Sequence, residues 1–129
     1  MSESQFTKTS DPVDPETVNE LRALIEESEP QGFDSFIRQY VHDGLERLKV
    51  LQAAAASLDA SALEDAAHAI KGSSANFGAK DMMSLCLAVE MDARKKDAVA
   101  AGARVPPIIE EFGRVQRALE AMCMKPLSS

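Results

Sequence analysis

The chain has 129 residues, of which 45% are hydrophobic and only 5% aromatic, a balance that favours one domain of packed helices. Its net charge of -7 at neutral pH argues against a nucleic-acid binder, which needs a basic surface to neutralise phosphates. No apolar run approaches the roughly 18 to 20 residues that cross a bilayer, and the first residues lack a basic segment followed by an apolar one, so we expect a cytoplasmic protein.

The N-terminal part of the sequence predicts a flexible tail followed by one amphipathic helix. Residues 1–12 are rich in Ser, Thr and Gln and show no apolar period. A helix is expected to begin at Asp14-Pro15, because Asp14 can cap free amides and proline suits the first helical position. Its buried face is predicted from helical spacing to contain Val18, Leu21, Leu24 and Ile25.

A second, longer helix is predicted after the break at Pro30-Gln31-Gly32, and it extends to about Ala56. Gly44 lies inside it, where a glycine indicates close packing or a slight bend. Its apolar residues recur at helical spacing, namely Phe33, Phe36, Ile37, Tyr40, Val41, Leu45, Leu48 and Leu51.

Three further helices are predicted in the C-terminal part. One begins near Asp59 or Ser61 and ends at about Phe77, before Gly78, which suits a left-handed position. The next covers residues 80–96, and a looser alanine-rich connection over residues 97–105 leads to a helix that begins at Pro106-Pro107. We therefore expect an all-α fold over residues 13–124, an antiparallel four-helix bundle with an additional N-terminal helix at one end, followed by a tail over residues 125–129.

The third predicted helix places a polar group beside its apolar stripe. At about 100° per residue, His68 falls outside the stripe, with Lys71 displaced by about 60° to one side and Gly72 by about 40° to the other. Glycine inside a helix costs roughly 1 kcal/mol relative to alanine, so another benefit should offset it. The missing side chain at Gly72 would let another protein approach the imidazole, and Lys71 would supply charge to oxygens on that partner.

These residues resemble the phosphoacceptor motif of histidine-containing phosphotransfer (HPt) domains, H-x-x-K-G-S-S/A-x-x-x-G-A, followed by a helix with L-x-x-x-L/V-E. The matching residues are His68, Lys71, Gly72, Ser73, Ser74, Gly78, Ala79 and the segment from Leu85 to Glu90. The likeness extends over the helix pattern from about Val13 to Met122.

The resemblance implies reversible transfer from a receiver-domain aspartate to Nε2 of His68, and then to an aspartate of another receiver. The implied partners of this monomer are response-regulator receiver domains and a hybrid sensor histidine kinase. No cofactor is expected, because the sequence lacks a glycine-rich nucleotide loop and Mg²⁺ would belong to the receiver's acidic pocket. Autokinase activity is therefore not expected either. Cys86 and Cys123 lack redox or zinc spacing and are interpreted as reduced and structural.

Spacing about the turn near Gly78 predicts that His68 lies opposite Val89 and Glu90. Glu90 would then accept a hydrogen bond from Nδ1 of His68 and leave Nε2 as the free nucleophile. Ser74 lies on the core stripe and can donate a hydrogen bond to a carbonyl one turn back. For both Ser73 and Ser74, a role in helix packing and a role in binding the phosphoryl group stay open. A docking surface is expected beside His68 on the second and third helices, where Phe36, Ile37 and Tyr40 belong either to it or to the core.

Two other functions remain open from the sequence. A helical adaptor would bind receiver or kinase domains without chemistry, and His68 would then be dispensable. The dimerisation and phosphoacceptor domain of a sensor kinase would need an attached ATP-binding domain, which the length and missing nucleotide motifs disfavour. His42 lacks a neighbouring lysine and glycine and is interpreted as surface, as are the helix-end charges Lys80 and Arg94-Lys95-Lys96.

Overall fold

A computed structural model describes residues 11–123, which form helices joined by turns and contain no strand. Residues 1–10 and 124–129, which include most of the two predicted tails, lie outside this description, so the tail boundaries stay predictions. In chain order the helices are α1 (Pro15–Ser28), α2 (Gly32–Ser57), α3 (Ala60–Ala75), α4 (Lys80–Arg94), α5 (Ala98–Ala103) and α6 (Val105–Ala121). None of these helices is long and apolar enough to cross a membrane.

The four long helices enclose one apolar core. Contacts run from α2 to α3, from α3 to α4, from α4 to α6 and from α6 back to α2, which closes a four-helix bundle. Each helix contributes fully buried side chains to this core, including Ile37 from α2, Ile70 from α3, Met82 from α4 and Ile108 from α6. The predicted bundle is confirmed, and its most extensive helix pair, α3 with α4, holds the site described below.

The N-terminal helix α1 closes one end of the bundle, as the sequence predicts. Val18 is fully buried there. The amide of Asp14 donates to the carbonyl of Phe77 at 2.9 Å, and Arg22 donates to the carbonyl of Met122 at 2.5 Å. These bonds join α1 to the turn after α3 and to the end of α6.

The buried face of α1 is narrower than predicted. Leu24 is 65% exposed, because α1 packs mainly on α2 and a single neighbouring helix covers only part of an apolar stripe. Asp14 stands at the cap position, as predicted, and its carboxylate accepts a hydrogen bond from the Thr17 hydroxyl at 2.5 Å. The prediction was therefore wrong for Leu24.

The connection before the last helix is more ordered than predicted. Residues Ala98–Ala103 form the short helix α5, and the carboxylate of Asp97 caps it by accepting from the amide of Ala100 at 3.0 Å. The small residues allow α5 to pack closely, since a Cβ on Gly102 would lie 3.1 Å from that of Ala55. Alanine and glycine therefore indicate close packing here, where the sequence alone suggested a loose segment.

Two glycines are required by the packing of the bundle. A Cβ at Gly44 would lie 2.4 Å from ring atoms of Phe112, so this glycine serves close packing of α2 against α6. Gly78 has a φ of +62°, which confirms the predicted left-handed position at the end of α3. The tight turn at Gly78 makes α3 and α4 a hairpin and sets which residues of the two helices face each other.

Candidate functional site

His68 projects from α3 into solvent, with its side chain 69% exposed. Its Nδ1 lies 2.7 Å from Oε2 of Glu90 on α4, as the hairpin spacing predicts. A carboxylate can only accept a hydrogen bond, so Nδ1 carries the proton and donates it to Glu90. When the ring is neutral, this bond leaves Nε2 without a proton and with the free lone pair of the ring.

Glu90 is a fully buried carboxylate that contacts two cationic side chains as well as the imidazole. Its Oε1 lies 2.6 Å from Nζ of Lys71, and its side chain has no exposed surface. Burial raises the pKa of this carboxyl, but the hydrogen bonds and charges of Lys71 and His68 outweigh burial and hold the pKa of Glu90 below its ordinary value. Glu90 is therefore charged at neutral pH and anchors the site.

Lys71 lies beside His68, but its ammonium is already engaged. The sequence predicts that this charge faces oxygens on a partner, whereas the structure pairs it with Glu90 and leaves the side chain 25% exposed. The ammonium has three donors, so it could share Glu90 with a second acceptor that arrives near His68. Whether Lys71 contacts a phosphoryl group stays a prediction.

Gly72 borders open space on the other side of the histidine. A Cβ built at this position would have no heavy atom within 4 Å, and the residue is exposed. No packing contact therefore requires a glycine here, although it costs about 1 kcal/mol relative to alanine inside a helix. The open space agrees with the predicted approach of another molecule to the imidazole.

Arg94 is a member of this cluster that the sequence did not assign. Its Nε donates to Oε2 of Glu64 at 2.8 Å, and its Nη2 lies 3.4 Å from Oε2 of Glu90. The spacing of Glu90 and Arg94 by four residues on one helix is the signal that could have indicated the pair. Arg94 does lie in the last turn of α4 and is 54% exposed, as predicted, but the sequence did not indicate its ion pairs.

The two serines after Gly72 both bond within the protein. Ser74 is buried and shares a hydrogen bond of 2.8 Å with the Tyr40 hydroxyl, in place of the predicted bond to its own helix. Ser73 instead donates to the carbonyls of Ala69 and Ile70, both at 3.2 Å. These contacts favour the packing role for both serines.

A groove lies between α2 and α3, and Ser73, the residue after Gly72, is part of its lining. Phe36 also lines it and is 36% exposed, and the centroids of the Phe36 and Phe77 rings lie 5.9 Å apart in an edge-on arrangement. Ile37 and Tyr40 are buried, so of the three candidate docking residues only Phe36 is exposed. The groove is lined by Phe36, Gln39, Tyr40, Asp43, Arg47, Ser73 and Asn76.

Neither cysteine forms a disulfide, and no group of three or more His, Cys, Asp or Glu side chains within residues 11–123 could hold a metal ion. Cys86 packs in the core with its Sγ 3.8 Å from Sδ of Met82. Burial, together with the charge of Glu90, raises the pKa of the Cys86 thiol to about 12, so the group is a neutral thiol at physiological pH.

The fold and the site together define a helical-bundle protein that presents one solvent-facing histidine, anchored by a buried carboxylate. The family model described as the Hpt domain matches residues 35–123. The crystal structure of histidine-containing phosphotransfer protein B (HptB) from Pseudomonas aeruginosa PAO1 matches with a TM-score of 0.78 and 29% identity, over 88% of this chain and 96% of that one. A comparison with curated protein sequences returned no match.

The chain therefore belongs to the Hpt family, as the sequence motif indicates. Hpt domains are phosphotransfer modules and not kinases, and they act in two-component phosphorelays, where they interact with receiver domains and kinases. The matched family region begins within α2, so α1 lies outside it.

Proposed function

We propose that this protein accepts a phosphoryl group on Nε2 of His68 from an aspartate of one receiver domain and passes it reversibly to an aspartate of another. The observation that carries this proposal is the His68 imidazole, which is 69% exposed while its Nδ1 is held by the buried Glu90. The ring is thus fixed through one nitrogen and leaves the other open to a partner.

The transfer needs no proton to leave the histidine. The lone pair of Nε2 attacks phosphorus, the bond between phosphorus and the aspartyl oxygen breaks, and the electron pair leaves with the carboxylate. The imidazole gains positive charge as the nitrogen–phosphorus bond forms. The carboxylate of Glu90, 2.7 Å from Nδ1, stabilises that charge.

Lys71 is the residue proposed to stabilise the transferred group. A phosphoryl transition state spreads negative charge over its equatorial oxygens, and a nearby ammonium lowers its free energy by electrostatics. Lys71 already pairs with Glu90 at 2.6 Å, so the group would share this cation with the carboxylate. The role of Glu90 is thus to hold both the imidazole and the ammonium in place.

The partner is proposed to dock over the open side of the site. Gly72 offers no side chain there, and the groove beginning at Phe36 provides an apolar edge with polar residues around it. The Mg²⁺ of the reaction is assigned to the acidic pocket of the receiver. We further propose that the protein is a cytoplasmic monomer, needs no cofactor and has no autokinase activity, so that a hybrid kinase feeds the relay.

The proposal is tested by incubating the protein with a receiver domain that carries labelled phosphate on its aspartate. We expect acid-labile, alkali-stable label on the wild type and none on His68→Gln. His42→Gln is the matched control, since His42 is the other histidine of the chain, is exposed on α2 and lines a groove that contains none of His68, Lys71 and Glu90. A second, unlabelled receiver should then remove the label from the wild type.

Label retained by His68→Gln would contradict the assignment of the phosphoacceptor. A wild type that binds the receiver but takes no label would favour the alternative, a non-catalytic helical adaptor. Binding is measured in the same samples by size-exclusion chromatography, so that the two outcomes are separated.

A further inference from the structure

Four charged or polar side chains form a chain of contacts across the α3–α4 hairpin. Glu64 and His68 lie one turn apart on α3, while Glu90 and Arg94 lie one turn apart on α4. Arg94 contacts both carboxylates, at 2.8 Å to Glu64 and 3.4 Å to Glu90. The same oxygen of Glu90, Oε2, accepts the hydrogen bond from Nδ1 of His68.

We propose that Arg94 is a positioning residue for phosphotransfer, which holds the carboxylate of Glu90 in the orientation that fixes the His68 ring. This inference rests on the proposed function of His68. Arg94 acts through Glu90, because its guanidinium pairs with the carboxylates of Glu64 and Glu90.

The two oxygens of Glu90 have different partners. Oε1 faces the ammonium of Lys71 at 2.6 Å, and this short contact pulls the carboxylate toward one side. Oε2 must stay turned toward Nδ1 of His68 if the ring is to keep its tautomer. A guanidinium at Oε2 opposes the pull of Lys71, and its planar fork fixes direction better than a second ammonium would.

Glu64 makes this arrangement rigid. It anchors the Nε of Arg94 from α3, the helix that also carries His68, so the guanidinium is tied to the same element as the ring. Arg94 is 54% exposed, and a single anchor would leave so long a side chain free to move. The carboxylates of Glu64 on α3 and Glu90 on α4 together hold the guanidinium of Arg94 in one position.

The chain also offers a matched control for the loss of a half-exposed arginine. Arg104 is 50% exposed and pairs with Asp92 of α4 at 2.6 Å, close to the exposure and ion-pair geometry of Arg94. This ion pair includes none of His68, Lys71 and Glu90. Arg104→Gln therefore removes the same charge from the same region without touching the site.

The experiment compares wild type, Arg94→Gln and Arg104→Gln with two measurements. The first is the tautomer ratio of His68 in the unphosphorylated protein, from the ¹⁵N chemical shifts of the imidazole. The second is the rate of label transfer from a phosphorylated receiver. We expect the form protonated at Nδ1 to dominate in wild type and Arg104→Gln, and to fall in Arg94→Gln together with a transfer rate about two- to fivefold lower.

An unchanged tautomer ratio or an unchanged transfer rate in Arg94→Gln would overturn the inference, as would an equal loss of rate in Arg104→Gln. The tautomer measurement needs no phosphoryl transfer, so it tests Arg94 even if the wild type takes no label. Absence of label on the wild type would overturn the proposed function, while a normal wild-type rate with no effect of Arg94→Gln would overturn this inference alone.

Discussion

The two nitrogens of His68 have different surroundings, and this difference is the basis of the site. Nδ1 donates a hydrogen bond to the fully buried carboxylate of Glu90, whereas the side chain of His68 is 69% exposed. A histidine held only by solvent would exchange between tautomers and rotamers. The buried Glu90, charged because Lys71 and His68 hold its pKa low, removes that freedom without covering the ring.

Gly72 provides a test of access that is separate from the chemistry of the ring. A Cβ at this position meets no heavy atom within 4 Å, so Gly72→Ala should stabilise the protein by about 0.5 to 1 kcal/mol through helix propensity alone. Gly72→Gln should also fold normally, but its longer side chain would stand where the partner approaches. If the partner docks over Gly72 as proposed, label transfer to Gly72→Gln should be at least about tenfold slower, and transfer to Gly72→Ala should be little changed.

Thermal unfolding and transfer rates of both variants check this expectation. The alanine variant serves as the control, because it changes helix propensity while adding only one methyl group. Wild-type transfer by Gly72→Gln would show that the partner does not use the open space beside His68, and another reason for the glycine would be needed.

Single residues also show where sequence reasoning stops. The contact of His68 with Glu90 could be predicted because a tight turn at Gly78 fixes the register of two consecutive helices. The partners of Arg94 depend on the rotamers of two long side chains, which helical spacing does not determine. The same limit applies to Ser73 and Ser74, whose hydrogen bonds depend on which neighbour comes within reach.

At the scale of helices, α3 and α4 place the chemistry while α1 adds stability at one end of the bundle. The residues of the site come from a hairpin whose two helices make the most extensive contact in the described part of the chain. The first helix lies outside the matched family region and buries Val18 completely. Its role should therefore appear in the free energy of unfolding.

The narrow buried face of α1 predicts unequal effects for two similar substitutions. Val18→Ala removes fully buried methyl groups and should lower the free energy of unfolding by about 1.5 to 3 kcal/mol. Leu24→Ala changes a side chain that is 65% exposed and should stay within about 0.5 kcal/mol of wild type. Urea unfolding followed by circular dichroism measures both values, and equal losses at the two positions would mean that α1 packs through a different face.

Helix positions could be predicted from the sequence better than their exposed faces. Apolar spacing located α2, α3, α4 and α6, because each of them buries a stripe in a shared core. It also assigned Leu24 of α1 and Phe36 and Leu45 of α2 to apolar stripes, although all three are exposed. Spacing gives the direction of a side chain but not whether a neighbouring helix covers it. The helix α5 was not predicted because its alanine and glycine residues show no apolar spacing.

Across the whole molecule, Tyr40 of α2 joins α3 and α6 within the core. Its hydroxyl shares a hydrogen bond of 2.8 Å with the hydroxyl of Ser74 on α3. The centroid of its ring lies 4.8 Å from that of Phe77 and 5.5 Å from that of Phe112 on α6. It is the single tyrosine in a chain without tryptophan, so its signals are easily assigned. A disturbance of the bundle should therefore be detected at this residue.

Tyr40 also predicts how the stability of the bundle changes at alkaline pH. Burial, partly offset by the bond to Ser74, raises the pKa of Tyr40 to about 12, above its ordinary value of 10.0. The unfolded chain therefore loses this proton first, so the contribution of Tyr40 is complete below pH 10 and is lost as the pH rises toward 12. Tyr40→Phe should be less stable than wild type by about 1 kcal/mol near neutral pH, because Ser74 loses its hydrogen-bond partner. This difference in stability should shrink or reverse between pH 10 and 12.

Urea unfolding of both proteins across this range tests the prediction, with tyrosinate absorbance recorded for the wild type. A difference in stability that stays constant with pH, or ionisation of folded Tyr40 near pH 10, would contradict it.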